Sequence, residues 1–191
     1  MTDVQIKLLP APATDVKEIL RYARWPEASA DMHLLDSCLR ELLPDLRYAV
    51  CWREMNVRVQ DDGVNLEGLA IPSAALAGRL NGCGRALLFA ATVGAAPDRL
   101  IRKYSRLSPV RALLFQAIGT ERVEALCDAF TGDFPVIGQR FSPGYGDLPL
   151  SCQKQIFELL DCPRRLGLTL TESLLMLPAK SVTAIQGIRE G

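Results

Sequence analysis

Ten consecutive residues concentrate the chemistry of this chain: Arg140-Phe141-Ser142-Pro143-Gly144-Tyr145-Gly146-Asp147-Leu148-Pro149. Pro143 fixes φ and Gly144 permits positive φ, so the pair suits the centre of a type II turn. Gly144 and Gly146 lack a Cβ, which lets a ligand lie directly against the backbone. Arg140 offers a planar fork of donors that matches a carboxylate or phosphate. Tyr145 offers a ring face to a cation. A ligand with a carboxylate at one end and a positive centre a few atoms away suits this set. S-adenosylmethionine, with its amino-acid tail and sulfonium, has that form. The same residues also describe a surface loop with a turn, an exposed arginine and a half-buried tyrosine.

Other chemistries find little support. No G-x-G-x-x-G follows a strand and no G-x-x-x-x-G-K-[ST] occurs, which argues against a dinucleotide fold and a P-loop ATPase. His33 is the only histidine, so sites needing more than one are excluded, and without a G-x-S-x-G a hydrolase triad has little support. The six cysteines (Cys38, Cys51, Cys83, Cys127, Cys152, Cys162) show no C-x-x-C spacing and read as buried reduced thiols. Lys+Arg and Asp+Glu are each 22, a formal net charge of zero. That balance argues against nucleic acid or an anionic membrane as the main partner. With no leader and no long apolar run, the expectation is a cytoplasmic protein without membrane attachment.

The elements that must position these residues read as one α+β domain, residues 1–191, an antiparallel sheet with helices packed around it. Asp15 and Glu18 suggest a capping box for a helix ending near Trp25-Pro26. Ser29 is the expected cap of a second helix, with Met32, Leu35, Cys38, Leu39 and Leu42 inward and His33 outward. From Leu46 to Val59 the period is two, Asp61-Asp62-Gly63 is a turn signal and Val64 to Glu67 alternates again, which predicts a hairpin. Pro72-Ser73 opens a short helix to Leu80. Ala86 to Ala91 suits a strand covered on both faces. Pro97 starts a helix whose Arg99, Arg102, Lys103 and Arg106 form a basic stripe, either a solvated face or a dock for an acidic protein. Ser108-Pro109 starts a longer helix to about Phe130, with Val110, Leu113, Leu114, Ala117 and Ile118 inward and Gly119 marking close packing. Ser151 is the expected cap of a helix to Leu160. Residues 168–177 and 181–188 read as two further strands.

The spacing Arg140-x-x-Pro143-Gly144-Tyr145 with Pro149, then Leu170-Thr171-Glu172-Ser173, Pro178 and Ser181-Val182, resembles the activation domain of cobalamin-dependent methionine synthase in a short, free-standing form. The strong matches cover about residues 140–188. The resemblance implies S-adenosylmethionine binding at Arg140, Ser142, Pro143, Gly144 and Tyr145, with Glu172 a further candidate, no metal site and no catalytic side chain. It implies Arg140 on the ligand's carboxylate and Tyr145 beside the ligand. It further implies reductive methylation of cob(II)alamin carried by a partner synthase chain, with one electron from a flavodoxin-like or ferredoxin-like donor. The family's acidic ligand contact near the first helix aligns with Arg24, which is a departure. A sensing or structural module for S-adenosylmethionine, without methyl transfer, is the alternative.

Overall fold

The computed structural model describes residues 3–189. Its centre is β5 (Arg85–Thr92), a strand whose side chains are buried on both faces apart from Arg85. Leu87, Phe89 and Ala91 project to one side and Ala86, Leu88 and Ala90 to the other. The period of two is therefore present, but both faces are apolar because helices cover both.

β5 lies between β2 (Ala49–Gln60) and β9 (Ser181–Ile188), antiparallel to each. The sheet runs β4 (Leu69–Ile71), β3 (Gly63–Leu66), β2, β5, β9, β6 (Val136–Phe141). β1 (Gln5–Leu8) pairs with the first half of β2, and β3 with the second half. One face carries α3 (Ala74–Leu80), α6 (Cys152–Leu160) and α7 (Cys162–Leu166), through Leu76, Leu80, Ile156, Leu160 and Leu166. The other carries the second half of α5 (Pro109–Thr131), through Leu126 and Phe130. The first half of α5 packs with α1 (Val16–Ala23), α2 (Met32–Leu42) and α4 (Ala96–Leu107) in a separate apolar cluster around Phe115 and Ile118. The antiparallel α+β class is as expected. All six cysteines are buried, and none forms a disulfide.

Several local expectations change. Asp31, not Ser29, caps α2 by accepting from Leu34 N–H at 3.0 Å, and Ser29 lies in a 3-10 turn. Met32 is exposed. Asp15 caps α1, but Glu18 turns to Arg21 and the N–H of Asp15 reaches Glu121 instead, so the capping box is only half made. Ser151 makes no side-chain cap bond. Val110 and Leu113 are exposed, because α5 turns Arg111 inward to meet Glu41 at 2.6 Å and Ser37. An ion pair thereby sets the rotation of that helix end. Residues 168–177 do not join the main sheet. They form a separate hairpin, β7 (Thr169–Leu170) and β8 (Met176–Leu177), closed by the Thr171 hydroxyl accepting from Leu175 N–H and by Leu174 at positive φ. Gly119 does mark close packing: a Cβ there would sit 2.9 Å from Lys180 Cγ.

Candidate functional site: a groove at the sheet edge

The site forms where the sheet is incomplete. β6 pairs β9 only through Val136↔Ile188, Ile137↔Gly187 and Phe141↔Ile185, with an irregularity between Ile137 and Phe141. The first residues of β9, 181–184, therefore have no strand on the side away from β5. A cavity of about 730 Å³ occupies that gap. Its walls are the last turns of α5, the start of α6, the 174–176 loop and the turn following β6.

That turn has the expected geometry. Tyr145 N–H donates to Ser142 O at 3.2 Å across Pro143-Gly144, and Gly144 has φ 90°, the positive value a type II turn requires at its third residue. Asp147 pins the loop to the start of α3: it accepts from the Ser73 hydroxyl and from Ala74 N–H at 2.8 Å. The Ser73 hydrogen bond, aided by the Ala75 and Ala74 N–H groups, outweighs burial and holds the Asp147 carboxyl below the usual carboxylate range. The carboxylate at the helix start meets unpaired N–H groups there. Gly146 lies where a Cβ would come 3.2 Å from the Phe141 ring.

Of the sequence-nominated residues, Arg140, Ser142, Pro143 and Tyr145 line the cavity together. Gly144 is the exposed apex of the turn, and Tyr145 is 68% exposed at the mouth. Glu172 is elsewhere: it is exposed in the β7–β8 turn and does not line the cavity, to which that hairpin contributes Leu174, Leu175 and Met176. Arg24, at the position aligned with an acidic ligand contact, is exposed in the left-handed conformation that ends α1.

The acids are supplied by α5. Arg140 donates to Glu124 Oε2 at 2.6 Å and also pairs with Asp128. Burial opposes its charge, but the hydrogen bond to Asp128, nearby charges and the bond to Glu124 outweigh this and raise its pKa. Glu124 and Asp128 stand four residues apart, on one helix face. That i, i+4 spacing is the signal for them in the sequence. A smaller hollow of about 360 Å³ shares both acids and is bordered by Asp15, Glu18 and Tyr22. The arrangement offers a guanidinium for a carboxylate, carboxylates for a cation, and a ring face beside them. Among the described residues no group of three His, Cys, Asp or Glu is arranged to hold a metal ion. No helix of the described residues is long and apolar enough to cross a membrane.

The fold and the groove together define a class: α+β domains with a charged groove at an open sheet edge. Within that class, residues 135–188 match the family model described as the vitamin B12 dependent methionine synthase activation domain. The chain as a whole has the fold of the MetH reactivation domain, whose crystal structure was solved bound to AdoHcy. The TM-score is 0.67 at 15% identity, covering 98% of this chain and 78% of that one. No curated protein matches the chain. The resemblance read from the 140–188 motifs is thus present in both the family match and the fold.

Proposed function

We propose that residues 1–191 act as one activation unit that binds S-adenosylmethionine and supports reductive methylation of cob(II)alamin held by a partner methionine synthase chain. The observation that carries this reading is Arg140 between Glu124 and Asp128 on the cavity wall beside the Pro143-Gly144 turn. The ligand's carboxylate suits the Arg140 fork, and its ammonium suits the two acids, which stand in for the one absent at Arg24. Tyr145 lies at the mouth, where its ring can face the sulfonium.

Little is asked of side-chain chemistry. The sulfonium already activates its methyl group, so the protein contributes position, which is worth several kcal/mol. The partner's cobalamin supplies the nucleophilic cobalt once reduced by a flavodoxin-like or ferredoxin-like donor, and S-adenosylhomocysteine leaves. Tyr145, Leu150 and Leu175 expose apolar surface around the mouth, which suits a transient docking face for that chain. The location implied is the cytoplasm, where such a synthase works.

One observation favours the alternative of a structural module. The Arg140 fork is engaged by two carboxylates of the chain itself, so these side chains hold one another in place. The test mixes this protein with a cob(II)alamin-loaded synthase lacking this domain, S-adenosylmethionine and a one-electron donor. The visible spectrum should convert to that of methylcobalamin, and omitting this protein should stop it. Equal conversion without this chain leaves the sensing or structural reading in its place.

A further inference from the structure

The floor of the same cavity holds two buried amide side chains, each with one atom unpaired. Gln186 of β9 is 6% exposed. Its Nε2 donates to Gly138 O at 2.8 Å, within the irregular part of β6. A carbonyl acceptor fixes the orientation of that amide, so the free atom is Oε1, and it has no partner. Gln153 of α6 is 2% exposed. Its Oε1 accepts from the Thr183 hydroxyl at 2.9 Å, which leaves Nε2 with no partner. Both glutamines line the cavity, as does Thr183. Buried polar atoms are almost always paired, and an orphaned one is costly. Here an orphaned acceptor and an orphaned donor share one cavity.

We propose that this floor reads the edge of an aminopurine base, with Gln186 Oε1 accepting from the exocyclic amino group and Gln153 Nε2 donating to a ring nitrogen. The inference rests on the reading of the cavity as an S-adenosylmethionine site, and it assigns the part of the ligand that Arg140 and Tyr145 leave unaddressed. The chemistry is complementary in sign: adenine presents an amino donor next to a ring acceptor. The amino-acid tail held at Arg140 limits how the base can turn. Replacing the amino group by an oxo group sets acceptor against acceptor at Gln186. A site built to bond a polar group discriminates strongly against analogues that leave it unpaired. An apolar slot would not.

The experiment compares affinities by calorimetry in the full chain. S-adenosylmethionine tests the site as a whole. S-adenosylhomocysteine against S-inosylhomocysteine changes only the base edge, and adenosine against purine riboside removes the amino group without any tail. The amino form should bind roughly tenfold or more tightly in both pairs. Gln186→Met, which keeps the length of the side chain, should level the difference, with a thermal melt to confirm folding. If that variant does not fold, the ligand pairs on the unaltered protein still decide. Equal affinities within both pairs, with S-adenosylmethionine bound, overturn the base subsite and leave the proposed function standing. Discrimination between the nucleosides with no binding of S-adenosylmethionine does the reverse. Binding of none of the probes overturns both.

Discussion

Two arginines contacting the same helix, Arg122 and Arg140, meet carboxylates in opposite ways. Arg122 is 1% exposed and each of its side-chain nitrogens is engaged: Glu121 is met twice, Pro12 O at 2.7 Å and Ala13 O at 2.7 Å. It ties the N-terminal lead to α5, and Glu121 in turn accepts from Asp15 N–H. Arg140 also holds two acids, but it stands on a cavity wall and Asp128 is largely exposed. A closed pair in the interior gives the chain one arrangement. A pair on a cavity wall can exchange one partner for a ligand, because water and a ligand both reach it. Charge count alone does not separate the two; access does.

The largest effect expected from this contrast is on Arg122. Arg122→Leu should destabilise the fold by roughly 3–5 kcal/mol, because it leaves Glu121 buried without its partner. Denaturant unfolding measures this, and a loss below about 1 kcal/mol would make the pair incidental. Arg140→Ala should act instead on binding. Losing one side of a desolvated charged pair costs roughly 2–5 kcal/mol, or about 30-fold or more in S-adenosylmethionine affinity. Arg140→Lys should recover only part, since a point charge cannot make a bidentate contact. Equal calorimetric affinities for the unaltered protein and the Arg140→Ala variant would remove Arg140 from the site.

The same contrast explains what was readable beforehand. The turn at Pro143-Gly144, the central strand around Leu88, the buried thiols and the close packing at Gly119 are all local consequences of residue type and period. They needed no knowledge of neighbours. Glu124, Asp128, Gln153 and Gln186 come from three separated segments, and each is an ordinary polar residue on its own element. Only tertiary packing brings them to one cavity. Val110 and Leu113 face outward, against their apolar character, for a related reason: a distant partner, Glu41, draws Arg111 inward and turns the apolar pair out. Residues 168–177 have a strand-like composition, but the Thr171–Leu175 turn splits them before they can reach the sheet.

Lys180 adds a buried charge without a carboxylate in direct contact. It is 6% exposed, packed against Gly119, and donates to the Thr120 hydroxyl at 2.8 Å. Burial, only partly offset by Asp98, pushes its pKa down to about 8 from 10.5. Between those values the unfolded chain binds the extra proton, so stability should rise with pH from about 8 to 10.5, and the penalty is fully present below 8. The gain is about 3 kcal/mol. Lys180→Met should remove that rise and stabilise the protein at pH 7. The difference between the two proteins across this window isolates the lysine from thiols and tyrosines that titrate nearby. A difference that does not change with pH would show that Lys180 stays charged at no cost.

The smallest effect belongs to arginines that meet no acid. On α4, Lys103 pairs with Glu41 at 3.0 Å and Arg99 approaches Asp45 at 3.7 Å. The basic stripe expected from spacing is therefore half neutralised. Arg102 and Arg106 remain exposed, with no acidic partner among the described residues. Reversing both to Glu should change folding stability by no more than about 0.5 kcal/mol, as for surface sites in general. If this face docks an acidic electron-transfer protein, the same reversal should slow association at low salt. The slowing should fade as ionic strength rises and the charges are screened. Stopped-flow association across a salt series measures both trends. Rates unchanged at low ionic strength would make the stripe a solvated face, and would leave Arg140 as the one arginine of this comparison with a binding role.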